Sequence, residues 1–216
     1  TEWIESGAKH WAHCNNFRFH LWWHFCNFAI ELGRFDDCLA NLDTNVRPDN
    51  TSDDFRDTSS AASVLWRLEF EGVDVGKRWS ELADIAEKRM DEHILAYADC
   101  FNTLVLLADD RWDVAQGMLA GMRSIEPRDE VTESEIIVNV GLPICEALSA
   151  YTQGDYAKAV DFLLPIRYEI KKLGGSHVQR DVFNQTLLQS VVKSGQNNLA
   201  RALLSERVAL KPKSSV

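Results

Sequence analysis

The sequence predicts an all-α protein, an α-α superhelix made of repeated helical hairpins, and three observations support this fold class. Apolar residues recur three and four positions apart through most of the chain, which is the spacing of one face of a helix. No segment keeps a period-two alternation of apolar and polar residues, and no Asn-Gly hairpin turn occurs, so strands are not expected. A helix-turn-helix pattern also recurs along the chain, which is typical of repeat proteins.

Four stretches carry this repeated pattern: a turn residue, usually an aromatic residue two positions later, a small residue three beyond that, and a leucine four further on. The turn residues are Gly33, Asp110, Gly154 and Gly195. The small residues are Cys38, Ala115, Ala159 and Ala200. The turn residue ends one helix, and the small residue lets two helices approach closely. This is the second half of a tetratricopeptide-type (TPR) helix-turn-helix, so the four small side chains are expected to be buried.

The predicted elements follow in chain order. Residues 1–14 are expected to form the end of a preceding helix. Asn15 and Asn16 are expected to break that helix and to cap the next one. The five predicted helix pairs are 17–32 with 35–46, 58–71 with 76–90, 92–108 with 111–124, 134–152 with 155–173, and 179–193 with 196–210. The second pair is less regular, and residues 47–57 form the clearest loop. We expect one helical-repeat domain over residues 1–216.

Composition narrows the possible functions. With 33 acidic and 23 basic residues the net charge is -10, so nucleic acid is not an expected partner. No apolar run approaches the ~20 residues of a membrane-spanning helix, so membrane insertion is not expected. Five cysteines without a C-x-x-C pair predict reduced thiols and a cytoplasmic or other reducing compartment. No nucleotide-binding glycine loop occurs, and no cofactor is expected.

Two histidines, His20 and His24, lie one turn apart on one face of the predicted helix over 17–32. This is the spacing of zinc-binding histidines, but Leu21 stands where a metalloprotease signature has glutamate. A metal would need a third ligand, for which Glu31 and His177 are the candidates. Histidines at helix spacing more often pack and form hydrogen bonds, so packing is favoured and no metal is assigned.

The second candidate site is the stretch "LGGSHVQRDVF" at residues 173–183. Gly174 and Gly175 are expected to end one helix and Ser176 to cap the next, which would turn the amides of residues 176–179 toward an anion. His177, Arg180 and Asp181 could share a hydrogen-bond network there. The alternative is a plain turn in which Arg180 pairs with Asp181 or a neighbouring carboxylate. A Ser176-His177-Asp181 triad is disfavoured, since adjacent side chains seldom reach nucleophile geometry.

Five separated segments resemble one known family: "FHLWWHFCNFAIELGRFDDCL", "SVLWRLEFEGVDVGKRW", "NVGLPICEAL", "LLPIRYEIKKLGGSHVQRDVFNQTLL" and "LARALLSERVALKP". In order and spacing they resemble the tetratricopeptide repeat protein thirty-eight family over nearly the whole chain. The resemblance implies a helical repeat fold and the C-terminal half of a longer architecture, which is consistent with a chain that begins at Thr1. It implies very little about function.

The polar positions that the resemblance implies are His20, His24, Asp57, Asp99, His177, Gln179, Arg180 and Asp181. Family members usually have Asn-Asp-x-His where this chain has Ala98 and, three residues later, Phe101. If the family site needs that histidine, the resemblance implies that this chain has lost an activity and kept the scaffold.

The repeat pattern, the acidic composition and Phe101 favour a non-catalytic scaffold that binds a protein partner. Arg167 and Arg180 belong to a loose basic group and are expected to contribute to partner capture. A subunit of a larger complex is a related possibility, and it predicts exposed aromatic side chains near Trp3, Trp11 and Phe55. The alternative is an enzyme, or half of one, whose pocket is lined by His20, His24 and His177, with Asp181 as a further catalytic candidate.

Overall fold

A computed structural model describes residues 1–48, 52–128 and 132–214, and in these residues it contains helices and no β-strand. The prediction of an all-α protein is confirmed. Within the described ranges, no helix is both long enough and apolar enough to cross a bilayer.

The helices follow the predicted order. The bounds are α1 Glu2–Trp11, α2 Phe17–Glu31, α3 Phe35–Asn41, α4 Phe55–Phe70, α5 Arg78–Glu87, α6 Ala96–Ala108, α7 Trp112–Arg123, α8 Thr132–Ile136, α9 Leu142–Thr152, α10 Tyr156–Ile166, α11 His177–Lys193 and α12 Asn197–Leu210. A π-helical turn at Leu42–Val46 extends α3, and another at Ile137–Gly141 joins α8 to α9. A 3₁₀ turn at Ile170–Leu173 follows α10.

The chain divides into two compact units, and each has its own core. The first comprises Thr1–Glu81 together with the chain from Lys213 onward, and the second comprises Leu82–Pro212. In the first unit, α2 packs against α1, α3 and α4. Trp23 is fully buried there, and its indole Nε1 donates to Ser63 Oγ at 2.8 Å. The prediction of one continuous domain stays a prediction.

In the second unit, consecutive helix pairs pack on one another. α9 packs against α6, α7 and α10, and α11 packs against α10 and α12. Leu104, Met118, Ile144 and Phe183 are fully buried in this unit. Phe101 also belongs to this core, with its ring centroid 4.9 Å from that of Tyr97 and 5.2 Å from that of Phe183.

One backbone turn recurs in all five helix pairs. The turn residues Gly33, Gly72, Asp110, Gly154 and Gly195 have φ values of 67°, 75°, 58°, 79° and 74°. After each one, the next amide bonds the carbonyl five residues back, as in Arg34 N to Ala29 O at 2.8 Å and Asp155 N to Ala150 O at 2.9 Å. These are Schellman motifs, which need a residue that tolerates the left-handed conformation.

The four small residues predicted to sit between helices are all buried. The side chains of Cys38, Ala115 and Ala159 are 0% exposed, and that of Ala200 is 7% exposed. This confirms the packing on which the predicted hairpins depend, because a small side chain lets two helix axes come close together.

Several predicted boundaries were wrong, each for a local reason. α4 begins at Phe55 instead of residue 58, because Asp54 caps it by accepting a hydrogen bond from Arg56 N. This shortens the predicted loop at 47–57, of which residues 49–51 lie outside the described residues. α6 begins at Ala96, since His93 has φ 42°. The helix predicted over 155–173 ends at Ile166, and Pro165 weakens its last turn because proline has no N–H to donate to the preceding turn.

The predicted cap before α2 also differs. Asn15 Oδ1 accepts from Phe17 N at 3.1 Å, whereas the Asn16 side chain makes no capping bond. Instead, Asn16 Nδ2 donates to Asp57 Oδ2 at 2.7 Å, which joins the start of α2 to the start of α4.

Candidate functional site

A groove in the second unit brings together several predicted site residues. It lies between the end of α10, its 3₁₀ turn, α11 and α12, and its volume is about 290 Å³. We call it the basic groove. Its apolar lining comprises Ile170, Leu187, Leu188, Leu203 and Leu210. Its basic lining comprises Arg167, Lys171, His177, Arg180, Arg207 and Lys211. Of the acidic side chains that the structure describes, Asp181 and Glu206 line it, so its charge is opposite in sign to that of the whole chain.

The predicted glycine turn builds one end of this groove. Gly174 and Gly175 have φ values of 78° and 67°, which glycine adopts without strain. A Cβ on Gly175 would lie 3.0 Å from Gln179 Oε1 and 3.3 Å from Tyr97. Ser176 then begins α11 with a capping box, in which its Oγ accepts from Gln179 N at 3.3 Å and Gln179 Oε1 accepts from Ser176 N at 2.7 Å.

The capping box determines the roles of Gln179 and Arg180. Because the amides of Ser176 and Gln179 are already bonded, they do not turn toward an anion as expected. Arg180 Nη1 donates to the carbonyl of Gly174 at 2.7 Å and also contacts the carbonyl of Gly175. Arg180 therefore holds the turn, and no described contact joins it to Asp181, which was the alternative considered from the sequence.

Asp181 instead binds the C-terminal end of α12. Its two oxygens accept from Arg207 Nη1 and Nη2 at 2.8 and 3.0 Å, and Oδ2 also accepts from Lys211 Nζ at 2.7 Å. Burial alone would raise the pKa of Asp181, but the hydrogen bonds and charges of Arg207 and Lys211 lower it to about 2. Such a carboxylate is a weak base, because a general base works best with a pKa near the operating pH.

Arg167 is fixed at the edge of the basic groove. Its guanidinium lies over the Tyr168 ring at 4.0 Å from the centroid, and Nη2 donates to the Tyr168 hydroxyl at 2.8 Å. Nη1 donates to Leu164 O at 3.2 Å. The buried Nε has no hydrogen-bond partner in the described structure. Nearby, the exposed side chains of Lys171 and His177 form no hydrogen bond or ion pair with another described residue.

The histidine pair of α2 lies in the first unit and packs against aromatic side chains. The His20 ring stacks on Trp23 with centroids 4.8 Å apart, and His24 meets it edge-on at 4.8 Å. Burial lowers the pKa of both imidazoles, and His24 lowers that of His20 further. In the described part of the chain, no three His, Cys, Asp or Glu side chains are placed to hold a metal ion. His177 belongs to the second unit, so a shared pocket of three histidines stays a prediction.

Asp57 also lies in the first unit and is 3% exposed. Its Oδ2 accepts from Asn16 Nδ2 at 2.7 Å and from Ser52 Oγ at 2.5 Å. Burial raises the pKa of this carboxyl, while the Ser52 hydrogen bond lowers it in part. These contacts connect two helix starts and make Asp57 a structural residue of its unit.

Of the three aromatic side chains predicted to mark a subunit interface, two are exposed and one is half-buried. Trp3 is 80% exposed and Phe55 is 36% exposed. Trp11 is half-buried, because it packs edge-on against Trp22 with centroids 5.2 Å apart.

Sequence reasoning missed a buried polar pair at Asp99. His93 Nδ1 lies 3.5 Å from Asp99 Oδ2, and neither atom has a hydrogen-bond partner among the described residues. The imidazole is held against the backbone of α7, since a Cβ on Gly121 would overlap His93 Nε2. The only sequence signal was a histidine at the start of the helix predicted over 92–108, and this signal does not identify a partner.

Comparison with known protein families and solved structures assigns no family or function to this chain. No family model matches the chain, and no solved structure matches it significantly. The resemblance to the tetratricopeptide repeat protein thirty-eight family stays a prediction.

Proposed function

We propose that this protein is a TPR-like helical scaffold, or a subunit of a larger assembly, that binds a segment of a protein partner in the basic groove. It catalyses no reaction in this proposal. The observation that carries the proposal is the groove itself, in which apolar side chains of α11 and α12 lie beside basic side chains. Helical repeat proteins use such surfaces between stacked helices to bind partners.

The arrangement of the helices supports a repeat scaffold. All five helix pairs use the same left-handed turn, and in the second unit each pair packs on the next along the chain. An assembly role is supported by the exposed indole of Trp3 in the first unit.

The chemistry of the basic groove supports binding instead of catalysis. Its buried carboxylate, Asp181, is already paired with Arg207 and Lys211. With a pKa of about 2 it holds no proton to donate at neutral pH and has little tendency to accept one. The same ion pairs keep α12 in position as one wall of the groove.

The test replaces an apolar side chain of the groove. Leu188→Asp places a charge among the leucines and is expected to reduce recovery of the specific partner at least tenfold, because burying an unpaired carboxylate is costly. The measurement is quantitative mass spectrometry after affinity purification of the full chain. Val192→Asp is the matched control, since Val192 lies one turn later on α11, is 52% exposed and does not line the groove.

Circular dichroism should show that both variants keep the helical fold. If Leu188→Asp and Val192→Asp recover the same proteins in wild-type amounts, the groove is not the binding surface and the proposal fails.

A further inference from the structure

We infer that the segment bound in the basic groove is an acidic peptide, with at least one aspartate or glutamate close to a large apolar side chain. This inference rests on the proposed function and adds the chemistry of the ligand. It follows from the distribution of paired and unpaired cations around the groove.

The cations of the groove fall into two groups. Arg207 and Lys211 share the single carboxylate of Asp181, and Arg180 donates to the carbonyls of the glycine turn. Arg167 and Lys171 form no ion pair with a described carboxylate, although the charge of Lys171 adds to that of Lys172 in lowering the pKa of Glu169. Arg167 and Lys171 lie at the end of α10 and in its 3₁₀ turn, which form one cationic wall of the groove, and Arg180 adds a third cation without an ion pair to a described residue at the start of α11.

Arg167 is prepared to bind a carboxylate. Tyr168 and the Leu164 carbonyl hold its guanidinium in place, so little side-chain freedom is lost when a ligand binds. Its Nε is buried and has no hydrogen-bond acceptor in the described residues. Because this Nε is enclosed by the protein, a ligand carboxylate would accept from Nη1 and Nη2, each of which has a second hydrogen that the bonds to Leu164 and Tyr168 do not use.

The apolar lining explains why the ligand also needs an apolar side chain. Leu188 and Leu203 are half-buried between α11 and α12, and a volume of about 290 Å³ holds one or two large side chains. Apolar surface continues beyond this space, because Tyr168 is 57% exposed and Leu210 is 76% exposed. A small carboxylic acid is usually enclosed by its site, whereas an open groove with apolar edges fits an extended segment of polypeptide.

The test uses a phage-displayed library of random dodecapeptides and the full-length protein. Peptides are selected on the wild type and depleted on Leu188→Asp, and the enriched consensus is synthesised with its acidic residues intact or replaced by their amides. We expect aspartate or glutamate beside leucine, phenylalanine or tryptophan, and at least tenfold weaker binding of the amide version. Binding should also weaken as salt is raised.

Lys171→Glu tests the cationic wall, and Lys172→Glu is its matched control. Lys172 is the neighbouring residue, has the same charge, pairs with Glu169 and does not line the groove. Lys171→Glu should weaken the consensus peptide about tenfold, because it places a like charge beside the ligand carboxylate, whereas Lys172→Glu should change it less than twofold.

Each other outcome contradicts the inference in a distinguishable way. Apolar peptides without acidic residues that bind Lys171→Glu normally would overturn the acidic ligand and leave the proposed function standing. The inference of an acidic peptide would also fail if no peptide were enriched on the wild type over Leu188→Asp. It would fail too if native mass spectrometry showed a small carboxylic acid in the groove that blocks peptide binding. The partner purification described above then decides separately whether the scaffold function holds.

Discussion

At the residue scale, a few buried polar contacts determine the local geometry of the second unit. His93 has a left-handed backbone, with φ 42°, and places its imidazole between Asp99 and the backbone at Gly121. Asp99 is 2% exposed, so its carboxylate has little access to water. The contact between the two side chains therefore matters for stability, because a buried polar group without a partner costs free energy.

Substitution of Gly121 tests this packing. Gly121→Ala is expected to lower the free energy of unfolding by about 1–2 kcal/mol, because the added Cβ displaces the His93 imidazole from Asp99. Gly117→Ala is the control on the same helix, since its Cβ would meet only the flexible end of Met90, at 2.8 Å. That control should be neutral or slightly stabilising, because alanine favours helix. Urea unfolding measures the stability of both variants. If Gly121→Ala has the same unfolding midpoint as Gly117→Ala, His93 does not pack against Gly121 in the way described.

At the element scale, α12 is attached to α11 by ion pairs as well as by apolar contacts, since Leu203 is half-buried between the two helices. Ala200 is its buried residue, while Leu204, Val208 and Leu210 are exposed. The ion pairs from Asp181 on α11 to Arg207 and Lys211 therefore contribute much of the attachment. This helix also forms one wall of the basic groove, so its attachment and ligand binding are linked.

Asp181→Asn is expected to destabilise α12 by about 2 kcal/mol at pH 7, the free energy that corresponds to a pKa lowered from 3.8 to about 2. Because the folded-state pKa is lowered, this contribution is complete above about pH 4 and disappears as the pH falls to about 2. Amide hydrogen exchange in α12 should speed up about thirtyfold in the variant at neutral pH.

Glu206→Gln is the control for this prediction, since Glu206 lies on the same helix and in the same groove but forms no ion pair with a described residue. Its exchange rates should match the wild type. If α12 is protected from exchange more strongly in the wild type than in Asp181→Asn by the same factor from pH 7 to pH 2, the carboxylate charge is not what holds α12.

At the scale of the whole molecule, the charge is uneven and the thiols are buried. The chain carries a net charge of -10, yet the basic groove has more cationic than anionic side chains. This difference favours an acidic ligand at the groove over other parts of the surface. Four of the five cysteines are buried across the two units, and only Cys14 is partly exposed.

Thiol reactivity tests the packing of both units at once. Contact with Cys26 and burial raise the pKa of Cys38, and burial raises that of Cys100, so these thiols should be unreactive. A disulfide-exchange reagent should label one thiol, Cys14, in the native protein and five after denaturation in guanidinium. Labelling of a second cysteine in the native state, located by mass spectrometry, would identify the unit that opens.

The helix pairs and their turns could be predicted from the sequence because their signals are local. Gly33, Gly154 and Gly195 occupy left-handed turn positions that glycine tolerates best, and the regular spacing of apolar residues marks the helices on either side. Ser176 and Gln179 indicate the start of α11, since a capping box involves residues only three positions apart. The helix ends that were placed wrongly depended on single residues such as Asp54 and His93.

By itself, the sequence determined the all-α class, the five helix pairs, the buried small residues and the presence of a polar turn at 174–181. Only the tertiary structure decided what these polar residues do. It joined Asp181 to Arg207 and Lys211, which lie 26 and 30 residues further along the chain, and it placed His93 beside Asp99. Periodicity shows which face of a helix is buried, but which side chains meet across that face depends on how the helices pack, and no local signal encodes this.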